Sequence, residues 1–244
     1  MYIQNLLITI SLLSPLFLHG ARKSNLSKQI ITESVAEKTT ETIVVEPARF
    51  KIKEFTIAGK IPNFSKKQLE EHLTLYKGYV NKFNEIELKL TNGLEKGDTP
   101  NKTYSRFRAL KLSETYAENG SILHELYFEN LSSSQQTVGK KMEKLIKRNW
   151  GTLEGFKKDL FNCALASRGW VMTAYSFYDK RVRNYVLEEH NQTVPVMTMP
   201  LLVLDVYEHA YMIDFGINRS AYLDIFWNQI NWDVVEQRIA KWVP

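Results

Sequence analysis

"PLLVLDVYEHAY", residues 200–211, runs an apolar stretch straight into Asp205, Glu208 and His209. Leu201 to Leu204 read as the inner part of a buried strand, so Asp205 closes that strand where water is scarce. Ionisable groups in such a place are unfavourable unless a metal ion or close pairing compensates them. The rest of the chain has to bring that compensation to residue 205.

Working outward, three short strands are expected in "GWVMTAYSF" (169–177), "VRNYVLEE" (182–189) and "MPLLVLD" (199–205), separated by turn-rich pieces. "TLEGFKKDLFNCALA" (152–166) and "SAYLDIFWNQINWDVVEQRIAKWV" (220–243) read as helical. Further upstream Leu69, Leu73, Tyr76, Val80, Phe83, Ile86 and Leu90 recur at three and four residues. That spacing predicts a long amphipathic helix from Ser65, which suits an N-cap, to about Leu94. "TNGLEKGDTPNK" (91–102) breaks it, and a second helix follows from about Tyr104 to Leu131, interrupted near Asn119-Gly120. Two long helices with a short connection form an antiparallel hairpin. The fold class is therefore α+β: an N-terminal antiparallel helical hairpin (48–135), then a small α/β domain with a three-stranded antiparallel sheet (136–244).

The other features narrow the function classes. A net charge of +5 comes from 32 basic and 27 acidic residues that are interspersed. "KKMEKLIKR" (140–148) reads as the solvated face of a helix and not as a nucleic-acid patch. The single cysteine, Cys163 in "FNCALA", excludes an internal disulfide or a multi-cysteine zinc site and reads as a small buried thiol. Residues 1–24 carry an apolar run from Leu6 to Leu18, the length of a signal-peptide core and short for a membrane span. Export to the periplasm or the exterior is the expectation, with an uncleaved N-terminal anchor as the other reading. Residues 25–47 are polar, lack periodicity and read as a linker.

Five histidines are present: His19, His72, His124, His190 and His209. His19 belongs to the leader. Asp205 and His209 stand four residues apart across a strand end, a spacing that lets a carboxylate oxygen and an imidazole nitrogen converge on a metal ion or bond to each other. His72 lies at the edge of the first helix's apolar face, and His124 in "SILHELYF" lies among apolar residues of the second. Singly, each suits a hydrogen-bonded core histidine as well as a ligand.

Several longer motifs decide between these readings. "PLLVLDVYEHAYMIDFGINRSAYLDIFWNQINWDVVEQRI" (200–239) closely resembles the C-terminal signature of the iron/manganese superoxide dismutases, D-x-W-E-H-A-Y followed by an aromatic-rich helix ending in N-W. "ASRGW" (166–170) is similar to the family's G-S-G-W, and "HELYF" (124–128) to its H-x-x-F-W. "HLTLYKGYV" (72–80) resembles its ligand-bearing first helix. The resemblance spans about residues 60–240.

It implies one iron or manganese ion held by His72, His124, Asp205 and His209, with solvent in a fifth position. Three imidazoles and a carboxylate without thiolates suit those metals rather than copper(I) or structural zinc. The resemblance puts His190, fifteen positions before Asp205, where many members carry a glutamine that bonds the metal-bound solvent. Gly120, four residues before His124, leaves the alternative position for that glutamine without a side chain. Tyr79 matches a gateway tyrosine with a catalytic role beside His190, and Trp170 a residue that walls the site. Glu208 would cross to the ligand histidine of a partner subunit, implying a homodimer or tetramer.

Three departures stand out. Tyr207 replaces the family's usual tryptophan. His72 and Tyr79 are seven residues apart, one fewer than in the common pattern, so Glu71 competes for the matching register. Leu75 and Met212 stand where the family commonly pairs a histidine with a partner tyrosine. The implied reaction is disproportionation of superoxide to dioxygen and hydrogen peroxide, with Arg168 and Arg219 as candidates for steering the anion. A catalytically weakened metal-binding homologue of the same fold and a non-haem iron oxygenase are the rivals.

Overall fold

A computed structural model describes residues 46–243 except 48 and 94. The leader (1–24) and all but the last two residues of the linker (25–47) lie outside the described residues. Helix α1 spans Lys66–Thr91, with the Ser65 hydroxyl accepting from the Gln68 amide at 3.0 Å. Helix α2 spans Arg106–Glu129 and is capped in the same way by Ser105. Contacts climb α1 while they descend α2: Tyr76 meets Phe128, Tyr79 meets His124, and Phe83 and Ile86 cluster with Ala117. The two helices thus form the expected antiparallel hairpin.

Helix α2 runs unbroken through Asn119-Gly120, against the expected interruption. A glycine in mid-helix costs up to about 1 kcal/mol relative to alanine. Here the site is needed open, because an added Cβ at Gly120 would lie 2.7 Å from Cδ1 of Tyr79. Tertiary packing therefore overrides local propensity.

Helices α3 (Lys140–Trp150) and α4 (Leu153–Ala166) lead into strands β1 (Trp170–Ser176), β2 (Val182–Leu187) and β3 (Thr198–Asp205). The sheet has the order β2-β1-β3 and is antiparallel throughout, with Trp170 opposite both Leu187 and Asp205. Every residue of the central strand β1 is buried. A single 3₁₀ turn (Glu208–Ala210) and a short helix α5 (Met212–Phe215) follow. The terminal helical stretch is two helices, α6 (Arg219–Asn228) and α7 (Trp232–Trp242), parted where Asn231 starts a new N-cap.

Hairpin and sheet share one core through Asn130 and Arg238. The Asn130 side-chain oxygen accepts from the Val203 amide and from Arg238, both at 3.0 Å. Arg238, almost fully buried, also donates to the carbonyls of Leu201 and Leu126 and to Glu129. These bonds fix β3 against the C-terminal end of α2, which sets where Asp205 and His124 meet. Among the described residues no helix is long and apolar enough to cross a membrane.

Candidate metal centre

Each of the four converging side chains comes from a different element: His72 from α1, His124 from α2, Asp205 from the end of β3, and His209 from the 3₁₀ turn. One ligand atom from each lies within 4.8 Å of all the others. Asp205 Oδ2 is the focus, 3.1 Å from His72 Nε2, 3.2 Å from His209 Nε2 and 3.7 Å from His124 Nε2. Three of the four side chains are fully buried, and His209 is the partly open one.

Local bonds hold Asp205, His124 and His209 in place. The Asp205 carbonyl accepts from the Tyr222 hydroxyl at 2.6 Å, and its Oδ1 accepts from the Tyr207 amide at 2.9 Å, leaving Oδ2 to face the imidazoles. Nδ1 of His124 bonds to the Gly120 carbonyl one turn earlier, which places its proton there. Nε2 of His124 then presents a lone pair and has no protein partner. His209 sits on a turn without a side-chain cap, and Gln68 grips it: the buried amide donates to the His209 carbonyl at 2.6 Å and accepts from the Ile213 amide at 3.1 Å. Gln68 lies one helical turn before His72, so one stripe of α1 places two ligands. A polar residue on an apolar stripe was the available signal for it, and sequence reasoning missed it.

The electrostatics favour a cation. Burial holds His72 and His124 below the usual imidazole range, so both are neutral with lone pairs available. Burial alone would raise the Asp205 carboxyl, but His209 and His72 beside it hold it below the usual carboxylate range. One anionic oxygen ringed by three imidazoles, with a buried acceptor lacking any donor, fits an iron or manganese ion.

The three flanking residues expected near the site are brought together. Trp170 Nε1 donates to His190 Nδ1 at 2.9 Å, and His190 Nε2 lies 2.7 Å from Tyr79 Oη. Burial lowers the His190 imidazole to about 4, so it is neutral. Because Nδ1 accepts from the indole, the single ring proton is on Nε2 and is donated to Tyr79. The Tyr79 ring stacks on His124 at 5.2 Å, while Trp170 meets the same imidazole edge-on at 4.9 Å. Glu71 is exposed and pairs with Lys67, while His72 and not Glu71 turns into the cluster.

Comparison with known proteins agrees with this geometry. Residues 138–238 match the family model described as iron/manganese superoxide dismutases, C-terminal domain. The chain is 36% identical over 184 residues to the iron superoxide dismutase of Aquifex aeolicus, covering 74% of this chain and 86% of that protein. The chain belongs to the iron/manganese superoxide dismutase family. It is also 31% identical over 175 residues to the iron superoxide dismutase of Pyrobaculum aerophilum, covering 70% of this chain and 81% of the relative. To manganese superoxide dismutase 2 of Haloferax volcanii it is 31% identical over 175 residues, covering 70% and 85%. Relatives named for either metal therefore match this dismutase-family chain.

The remaining expected residues separate. Glu208 is exposed beside the centre, as is Met212, and Leu75 is half-buried. A cavity of about 790 Å³ opens between α1 and α2, lined by Leu75, Tyr79, Lys82, Tyr116 and Glu189 among others. Neither arginine candidate lines it. Arg168 is exposed and faces Glu188, and Arg219 is committed to the carbonyls of Ala164 and Ser167 and to the Tyr211 hydroxyl. Cys163 is half-buried and its thiol is pushed up to about 11 by burial and by Asp159, which makes it a poor nucleophile.

Proposed function

We propose that this chain disproportionates superoxide to dioxygen and hydrogen peroxide at one iron or manganese ion held by His72, His124, Asp205 and His209. The observation that carries the reading is the convergence of those four ligand atoms beside the Trp170–His190–Tyr79 chain. When bound, the metal supplies the one-electron chemistry, cycling between its +2 and +3 states. The single carboxylate contributes one negative charge, which suits a centre that alternates between these states.

Two superoxide ions and two protons yield one dioxygen and one hydrogen peroxide, so the site must deliver protons. Tyr79 Oη accepts from His190, so its own O–H remains the proton that it can pass on, with the Tyr116 phenol beside it. Burial holds that phenol well above its ordinary range, so it stays protonated until used. Trp170 and the ring of Tyr207 wall the ligands from bulk water.

We also infer a homodimer or larger assembly in which Glu208 reaches the His209 of its partner, and export of the chain, either free or tethered through residues 1–24. Exposed Glu208 next to exposed Ile213 and Ile217 supports the first, and the apolar run of Leu6 to Leu18 the second. Superoxide consumption by the full chain, loaded separately with iron and manganese, tests the activity. Turnover with at least one metal is expected. Stoichiometric metal without turnover would instead favour the weakened homologue.

A further inference from the structure

Three phenols surround His190. The ring centres of Tyr79, Tyr116 and Tyr207 lie 4.6, 4.5 and 5.1 Å from the imidazole. The Tyr79 hydroxyl is engaged by His190, but the hydroxyls of the other two bond to none of the four clustered side chains. The ring of Tyr207 stacks on the ligand His209 at 5.2 Å and 16°, and meets Trp170 at 6.2 Å. Its hydroxyl is buried and makes no well-aligned hydrogen bond in the protein, although the Tyr116 hydroxyl lies within its reach.

Wall-building alone does not account for that hydroxyl. Phenylalanine would present the same kind of aromatic face without stripping water from a polar group, and buried polar groups are nearly always paired. Tyr116 is the neighbouring phenol, with its ring centre 6.2 Å from that of Tyr79 and its hydroxyl within reach of those of Tyr79 and Tyr207. Together with Tyr79 it lines the cavity of about 790 Å³ between α1 and α2. Tyr79 and Tyr116 thus carry the cavity lining inward to His190, and Tyr207 packs against the same imidazole.

We propose that Tyr207 and Tyr116 are specificity-determining residues of the anion path, their hydroxyls donating hydrogen bonds to a small monoanion that moves from the cavity toward the ligand cluster. The inference rests on the dismutase reading, in which superoxide is that anion. Neutral O–H donors suit the task because bonds to an anion are charge-assisted, while no fixed positive charge is left to repel the metal. The charged residues lining the α1–α2 cavity are Lys82, which is exposed and paired with Glu85, and the carboxylate Glu189.

Azide, a monoanion of three atoms, probes the path by its effect on the visible absorption of the iron-loaded full chain. Tyr207→Phe and Tyr116→Phe each delete one O–H. Each is expected to weaken azide binding by about tenfold, the effect of one charge-assisted hydrogen bond. Bound iron should stay at the wild-type level, and Tm should not fall in Tyr207→Phe, because the hydroxyl makes no well-aligned bond in the fold. Azide affinity equal to wild type in both variants would reduce the two residues to wall and overturn the proposal. A Tyr207→Phe protein that loses Tm and affinity together would assign its hydroxyl to the fold and overturn the proposal equally. Wild-type protein that binds iron and azide but does not consume superoxide would contradict the proposed function alone, and the variants would still decide the donors.

Discussion

The indole N–H of Trp170 points at Nδ1 of His190 from 2.9 Å, and that one bond orders the whole proton path. It makes Nδ1 an acceptor, which forces the ring proton to Nε2 and makes His190 a donor to Tyr79. Tyr79 then accepts from His190 and keeps its own O–H to donate. An enzyme-like site here depends on an indole that touches neither substrate nor metal ligand in its hydrogen bonding.

Trp170→Phe removes that donor while keeping an aromatic ring. His190 then samples both tautomers, and Tyr79 loses its fixed orientation. Turnover is expected to fall by roughly ten- to a hundredfold, the usual effect of removing an outer partner of a metal site, with bound metal nearly unchanged. Nitrogen NMR of His190 and the pH profile of turnover check this: a single tautomer in the variant would contradict it.

Gly120→Ala tests the close approach between α2 and Tyr79. The new Cβ would meet Tyr79 Cδ1 at 2.7 Å and Cγ at 3.0 Å, and the ring has little freedom because His124 and His190 hold it. The helix-propensity gain of up to about 1 kcal/mol is outweighed by an overpacking cost of about 1–3 kcal/mol. Turnover should drop more than metal content does. Thermal melting and activity of the variant read the two effects, and full activity would show that the ring can move freely.

The buried His190 also makes stability depend on pH. Its imidazole is lowered to about 4 in the fold, against an unfolded value near 6.5. Between those values the unfolded chain binds the proton and the folded one does not, so stability is full above about pH 6.5 and declines as pH falls toward 4. The loss from this group is about 3 kcal/mol at most. His190→Gln can still accept from Trp170 and donate to Tyr79, and should melt with a shallower pH dependence over that window. Equal slopes in the two proteins would contradict the assignment.

Much of this was legible in the sequence because it rests on spacing. Seven residues are close to two helical turns, so His72 and Tyr79 share a face of α1 whatever the family's commoner spacing, and both look into the site. The strand ending at Asp205 and the ligand at His209 follow from one motif. What stayed hidden depends on packing across elements. Gly120 looks like a helix breaker until the ring of Tyr79 fills the space, and Arg219 looks like a free cation until the carbonyls of Ala164 and Ser167 take it. Gln68 and Tyr116 lie one and two turns from ligands along their helices, on no motif, and only the folded chain brings them to the centre.

Everything proposed for this site depends on Asp205 gathering three imidazoles around a redox metal. Metal analysis together with superoxide consumption, in the wild-type chain and in Asp205→Ala, tests that dependence most directly. About one iron or manganese ion per wild-type chain with turnover is expected, and loss of both in the variant. A variant that keeps stoichiometric metal and activity, or a wild-type chain that takes up neither metal, would contradict it.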